Sequence, residues 1–247
     1  MARVLCVANQ KGGVGKTTTS CNLAVGLARA GFHTLLIDFD PQCTATAGLG
    51  HRPTARHPLV QGIAFCEALR STAIGGLDLL PGSRSGADMA VLSRAGGDGA
   101  VLQRHLSGGV AAYDFVLIDC PSSLGSMTEA ALGASTEVLM PIRCEYFAME
   151  GLTPMIQLIR KVMQAQSNRL EFGGIVLTMY DPLLEWTREV DGEVRDFFGD
   201  VVFDTVVPRD VALAEAAGRG QSVLEYAPRS RGARAYIELC MEVLERD

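Results

Sequence analysis

Residues Gly12–Thr18 read GGVGKTT and lie between an apolar run, Arg3–Ala8 (RVLCVA), and a helical stretch, Thr17–Ala30. A glycine-rich turn leading from a strand into a helix is the context that a phosphate-binding P-loop requires. Glycines let the backbone aim its N–H groups at phosphate oxygens with no Cβ in the way, and the helix N-terminus adds a favourable dipole. In such a loop Lys16 is the compact ammonium that reaches the β- and γ-phosphates, and Thr17 is the hydroxyl ligand of Mg²⁺. Lysine usage agrees: the chain has only Lys11, Lys16 and Lys161 among 22 basic residues. An arginine fork is too long and planar to sit inside the loop, so lysine at 16 is a chemical requirement.

The rest of the chain alternates in the same sense. Thr34–Asp38, Phe115–Asp119, Glu137–Ile142 and Gly174–Thr178 are short apolar, β-rich runs, with Leu77–Leu80 and Val201–Val206 as weaker ones. Continuous apolar runs suit parallel strands covered on both faces. Phe147–Gln166 is expected to be a long helix, because Leu152, Met155, Ile156, Ile159, Val162 and Met163 make one apolar stripe. The fold class is therefore α/β: a doubly wound, mostly parallel sheet with helices on both faces, built from right-handed βαβ units. Gly82–Gly109, rich in Gly, Ser and Ala, assigns poorly. No linker divides the chain, so residues 1–247 are expected to form one domain.

Composition narrows the setting. Seven cysteines, an odd number with no CxxC pair, fit small buried residues in a reducing cytoplasm. No apolar run approaches the length of a membrane span. MARVLCVAN runs directly into strand-like sequence, so neither a leader nor an added N-terminal DNA-binding domain is expected. A formal charge of -6 means that any nucleic-acid binding has to come from a local patch. His33, His51, His57 and His105 lack metal-ligand spacing and are expected at the surface.

Asp119 closes an apolar strand, which brings its side chain to the carboxyl edge of the sheet beside the loop, where open α/β sheets bind ligands. There it can hold Mg²⁺ through water. Asp38 and Asp40 flank Phe39 at the end of the next strand, and alternation points them to the same side.

Lys11 separates this loop from a standard one, which would have glycine at that position. KGGVGKT resembles the deviant loop of the ParA/MinD class of ATPases, and within it the short ParA (Soj-like) partitioning proteins. The resemblance extends through DFDPQ (Asp38–Gln42), VLIDCPSSLG (Val116–Gly125), CEYFAMEG (Cys144–Gly151), LTMYD (Leu177–Asp181), VVPRDVALAEA (Val206–Ala216) and PRSRGARAY (Pro228–Tyr236). It implies ATP and Mg²⁺ as cofactors, with nucleotide held by Lys11, Gly12, Gly13, Val14, Gly15, Lys16, Thr17 and Thr18. It also implies an ATP-dependent homodimer in which Lys11 crosses to the partner's phosphates. Asp40 would orient the attacking water or sense the γ-phosphate. Asp38 either supports the Mg²⁺ shell or caps its strand end. Gly125 is either a swinging point of the second switch or a plain turn glycine. Pro208, Arg209 and Asp210 fall where the family sets a loop against adenine. The chain departs from the family at Asp210, where Asn is usual, and at Cys43-Thr44, where Gly-Asn is usual.

The resemblance further implies a slow ATPase, stimulated by a ParB-like partner, whose dimer binds duplex DNA without sequence preference in the cytoplasm, on the nucleoid. The family's usual DNA-contacting arginines are replaced by Leu183 and Ala212. Arg188, Arg195, Arg219, Arg229, Arg231 and Arg234 remain as substitutes. A relative that positions a protein cargo is the alternative. A MinD-like membrane-surface ATPase would want a basic amphipathic C-terminal helix, but YIELCMEVLERD is acidic.

Overall fold

Eight strands form one sheet: β1 (Arg3–Val7), β2 (Thr34–Asp38), β3 (Arg70–Ser71), β4 (Leu77–Leu80), β5 (Phe115–Asp119), β6 (Glu137–Arg143), β7 (Glu171–Tyr180) and β8 (Val202–Pro208). This is a computed structural model, and it describes residues 2–61, 64–95, 102–103, 106, 109–145, 152–165 and 170–246. Strand order is β3-β4-β2-β5-β1-β6-β7-β8. Every pairing is parallel except that of β3 with β4. The doubly wound parallel sheet expected from the sequence is thus present. The short antiparallel β3 was not legible, because two residues carry no period.

The apolar strands divide their side chains between two cores. On one face Leu5, Val7, Leu36 and Leu117 pack with Leu23 and Leu27 of the Lys16–Arg29 helix and with Tyr236, Leu239 and Val243 of the Arg231–Glu245 helix. On the other, Cys6, Ile37, Val116 and Ile118 pack with Ala131, Met155, Ile159, Val190 and Val194. Each fully buried Leu or Ile contributes about 1.5–3 kcal/mol, so both faces anchor the central strands and fix where those strands end.

Some expectations require correction. Gly82–Gly109 contains a helix, Gly86–Ala95, whose start is marked by a bond from the Asp88 N–H to Ser85 Oγ. The long apolar-striped helix is described over Thr153–Ala165, with the start and end of the expected Phe147–Gln166 span outside the described residues. His57 is buried: its backbone N–H donates to Asp88 Oδ2 and its Nδ1 accepts from the Leu59 N–H. His33 is exposed, His51 is half-buried, and His105 lies outside the described residues. Six of the cysteines are buried, whereas Cys66 is exposed.

Candidate nucleotide-binding site

The loop between β1 and the Lys16–Arg29 helix sits at the carboxyl edge of the central strands, where β1 passes between β5 and β6. Gly13 and Gly15 take φ of 70° and 89°, the left-handed region open to glycine at little cost. A Cβ built on Gly12 or Gly13 meets nothing within 4 Å, so the loop is a clear cradle. No side chain caps the helix at Gly15, which leaves its first N–H groups facing the cradle. Two buried polar side chains, neither marked by any local pattern, pin the loop from below. Asn9 Nδ2 donates to the Pro141 carbonyl (2.7 Å) and Asn9 Oδ1 accepts from the Lys11 N–H (3.1 Å). Thr178 Oγ1 donates to the Val14 carbonyl (2.8 Å).

Lys16 is buried, and its Nζ donates to Ser122 Oγ (2.7 Å) and to the Lys11 carbonyl (3.1 Å). Burial lowers its pKa, against the attraction of Asp119 and Asp40. Thr17 Oγ1 donates to Asp119 Oδ2 (2.8 Å), and Ser20 Oγ donates to Asp119 Oδ1 (2.9 Å). Burial, with the nearby charge of Asp38, pushes the Asp119 carboxyl up to about 7. A hydroxyl beside a carboxylate whose charge burial disfavours is a hard-oxygen set short of a cation, and it fits Mg²⁺. Among the described residues no cluster of three His, Cys, Asp or Glu makes an all-protein metal cage, so phosphate oxygens would have to complete the shell.

Asp38 does not turn to Thr17. Its Oδ2 accepts from the backbone N–H (2.7 Å) and the hydroxyl (2.5 Å) of Thr46, and burial pushes its pKa up to about 6. These bonds are those of a strand-end cap. Asp40, half-exposed, accepts from the Gln42 N–H, and Lys11 reaches out of its own loop to Glu145. Cys43 adopts φ 54°, which accounts for glycine at this position in the family's pattern.

A cleft of about 290 Å³ beside the loop is lined by Gly15, Thr18, Met179, Pro208, Arg209, Leu213 and Tyr236, among others. Its apolar walls and size suit an adenine ring. Asp210 borders the cleft, but its carboxylate is engaged elsewhere: Oδ1 accepts from the Ala212 N–H (3.0 Å) and Oδ2 from the Gly232 N–H (2.8 Å).

The arginines are less unified than the sequence implied. Arg195 is paired with Asp191 at 2.6 Å and Asp204 at 3.7 Å. Arg188 and Arg195 share the Glu185–Phe198 helix with Glu185, Glu189, Asp191, Glu193 and Asp196, an acidic surface. Arg219 lies over the Tyr226 ring (5.3 Å), and Arg231 Nη2 donates to the Arg209 carbonyl (3.4 Å). Arg229 and Arg234 are exposed close to Arg231 in sequence. Leu183 is 89% exposed, and Ala212 is half-buried.

A phosphate cradle at the switch point of a doubly wound sheet, with an adjoining adenine-sized cleft, defines a P-loop nucleotide-binding protein. The family model described as an AAA domain matches residues 2–172. The chain is 42% identical over 250 residues to the chromosome-partitioning ATPase Soj of Treponema pallidum, covering 100% of this chain and 99% of that protein. It is 41% identical over 253 residues to the chromosome partitioning protein ParA of Caulobacter vibrioides, covering 99% and 95%. In structure it resembles the cobyrinic acid a,c-diamide synthase of Mycobacterium smegmatis with bound ATP analogue and magnesium (TM-score 0.86, 33% identity, 99% of this chain and 95% of that one). The chain belongs to the ParA/MinD family of P-loop ATPases, on its short ParA, Soj-like branch.

Proposed function

We propose that this protein is an ATP-dependent dimerising ATPase that partitions or positions DNA. It would cycle between an ATP dimer on non-specific duplex DNA and released monomers, with slow intrinsic hydrolysis stimulated by a ParB-like partner. The observation that carries this is the division of labour between the two loop lysines. Lys16 is buried against Ser122 inside the loop, whereas Lys11 Nζ points out of it, on a half-exposed side chain. A lysine held outside its own phosphate site is available to a second subunit's nucleotide.

In this reading the loop N–H groups and Lys16 hold the phosphates of ATP, and Thr17 and Asp119 hold Mg²⁺, which supplies charge neutralisation at the phosphates. Asp40, the least engaged of the three carboxylates, orients water. Positioning and charge, more than a strong base, are what phosphoryl transfer needs. With Asp40 as the one carboxylate left to orient water, such a site suits slow turnover until a partner adds groups.

DNA contact would then rest on Arg219, Arg229, Arg231 and Arg234, since Arg188 and Arg195 stand on an acidic helix. That acidic helix, with exposed Leu183 and Trp186, favours a second reading in which the cargo is a protein scaffold. A membrane-surface role is disfavoured, because the C-terminal helix buries Tyr236, Leu239, Cys240 and Val243 in the core instead of offering that face to lipid. Among the described residues no helix is long and apolar enough to cross a membrane. Cytoplasmic, nucleoid-associated location follows from this reading.

The test is molecular mass by light scattering with ATP, ADP or no nucleotide. Wild type should double in mass with ATP alone, while Lys11→Ala should bind ATP and remain monomeric. Gly12→Val should also remain monomeric while folding normally, because a Cβ there meets nothing within 4 Å in its own subunit. A Lys11→Ala protein that dimerises fully refutes the cross-subunit role. Mobility shifts on duplex DNA with ATP at two salt concentrations then separate DNA from protein cargo, since affinity should fall by nearly one log unit per log salt for each phosphate neutralised.

A further inference from the structure

Glu145 stands just past the end of β6, in the CEYFAMEG segment, and has no role in the site described above. Its Oε2 lies 3.7 Å from Lys11 Nζ, and its Oε1 lies 2.5 Å from Arg143 Nη2. The three side chains are 29–42% exposed, so the cluster sits at the rim of the site and not in the core.

Hydrogen bonds link the backbone segments that carry these side chains. Asn9 bonds both the β6 carbonyl of Pro141 and the N–H of Lys11, so it ties the start of the loop to the strand that carries Glu145. Cys144 N–H donates to the Thr178 carbonyl, and Glu145 N–H donates to the Arg143 carbonyl. Thr178 in turn holds Val14 of the loop. Shared hydrogen bonds therefore bring the backbones that carry Lys11 and Glu145 side by side.

We infer that Glu145 is a positioning residue that holds Lys11 in the nucleotide-free subunit and sets the threshold for ATP-driven dimerisation. The inference rests on the cross-subunit reading of Lys11 given above. To reach a partner's nucleotide, Lys11 has to leave Glu145, whose charge Arg143 continues to neutralise. Arg143 thus makes the release cheap: it competes with Lys11 for Glu145 while the subunit is empty and takes over the carboxylate afterwards. Rim ion pairs shift equilibria by about two- to fivefold each, which is the right size for a threshold that triphosphate charge can overcome.

Two substitutions should act in opposite directions. Glu145→Gln frees Lys11 and should lower the ATP concentration for half-maximal dimerisation about two- to fivefold. Arg143→Met leaves Glu145 with Lys11 as its one cation among the described residues and should raise that concentration. The Glu145→Gln shift should shrink as salt rises. A merely structural Glu145 would move both variants in the same direction. A direct readout exists in the monomer, because the chain has three lysines. A protein labelled with ¹³C-lysine gives three ε-methylene signals, and Glu145→Gln should move that of Lys11 alone. An unchanged Lys11 signal, or a midpoint that stays or rises in Glu145→Gln, overturns the inference. If wild type does not dimerise with ATP at all, the functional reading falls and this one falls with it. Normal dimerisation with an unmoved midpoint removes only the latch.

Discussion

Asp210 stands where the family sets its adenine contact, yet its carboxylate joins two helix starts. Oδ1 caps the Val211–Gly218 helix through the Ala212 N–H, and Oδ2 takes the Gly232 N–H in the first turn of the Arg231–Glu245 helix. An ionised carboxylate satisfies two donors and opposes the positive ends of two helix dipoles at once. An amide cannot: Asn has one acceptor oxygen, and its NH₂ would face a backbone N–H. A cap is worth about 0.5–2 kcal/mol and a hydrogen bond to a charged group about 1.5–3, less where water reaches the site. Asp210 is half-exposed, so the lower part of those ranges applies. Asp210→Ala should then cost about 2–3 kcal/mol, and Asp210→Asn about half of that. For a chain of this size each kcal/mol lowers Tm by about 2–4 °C, so Ala should lower it by about 4–12 °C and Asn by about 2–6 °C. Thermal melting by circular dichroism of the nucleotide-free protein measures both. Two results would refute the reasoning. One is an Asn variant that melts with wild type. The other is an Ala variant that keeps its Tm but loses ATP affinity, as a direct adenine ligand would.

Three other outcomes are expected. Lys16→Ala should abolish ATP binding in a folded protein, as read by calorimetry, because the loop loses the ammonium buried inside it. In EDTA without nucleotide, Asp119 (about 7) and Asp38 (about 6) are raised above an ordinary carboxyl near 4. Their contribution is therefore fully present below about pH 4 and lost as pH rises through 6 to 7; urea midpoints should fall across that window, and Mg²⁺ with ATP should flatten the fall. Cys43→Gly should be more stable than Cys43→Ala, reversing the usual order, because glycine meets φ 54° without strain; an equal or inverted pair of urea midpoints refutes this.

The parts of the site that the sequence made legible are those in which local spacing and chemistry coincide. GGVGKTT shows a loop because glycine, lysine and threonine stand together, and Asp119 shows its place because a strand ends on it. The parts that were missed depend on partners far along the chain. Asn9 meets Pro141 across 132 positions and Thr178 meets Val14 across 164, and nothing around a lone Asn or Thr in an apolar strand announces such a partner. Asp210 borders the cleft, and the second helix start that its carboxylate joins is 22 positions away, out of reach of local pattern. The Gly86–Ala95 helix did carry a signal, Ser85-x-x-Asp88, a capping pattern masked by a region rich in small residues.

The segment following β2 is coupled to the loop through one hydroxyl contact. Asp38 Oδ2 holds Thr46, and Thr46 Oγ1 accepts from the Gly82 N–H (2.9 Å), so the Thr44–Gly48 helix is fastened to the ends of β2 and β4. Its first residue, Thr44, has its Oγ1 3.1 Å from Thr17 Oγ1. A hydroxyl has one proton, and Thr17 gives its own to Asp119. Thr44 must therefore be the donor in that contact and Thr17 the acceptor. A cation drawn to the Thr17 oxygen competes for the same electron density and weakens the bond that Thr44 makes. A hydroxyl that held the metal would thus also report its presence to the helix that follows Asp40. Thr44→Val removes the donor and keeps the shape. Hydrogen exchange at residues 44–48, compared with and without Mg²⁺ and nucleotide, should then lose the ligand-dependent part of its protection. A Thr44→Val protein with the full wild-type response would place the coupling elsewhere, most directly through Asp40.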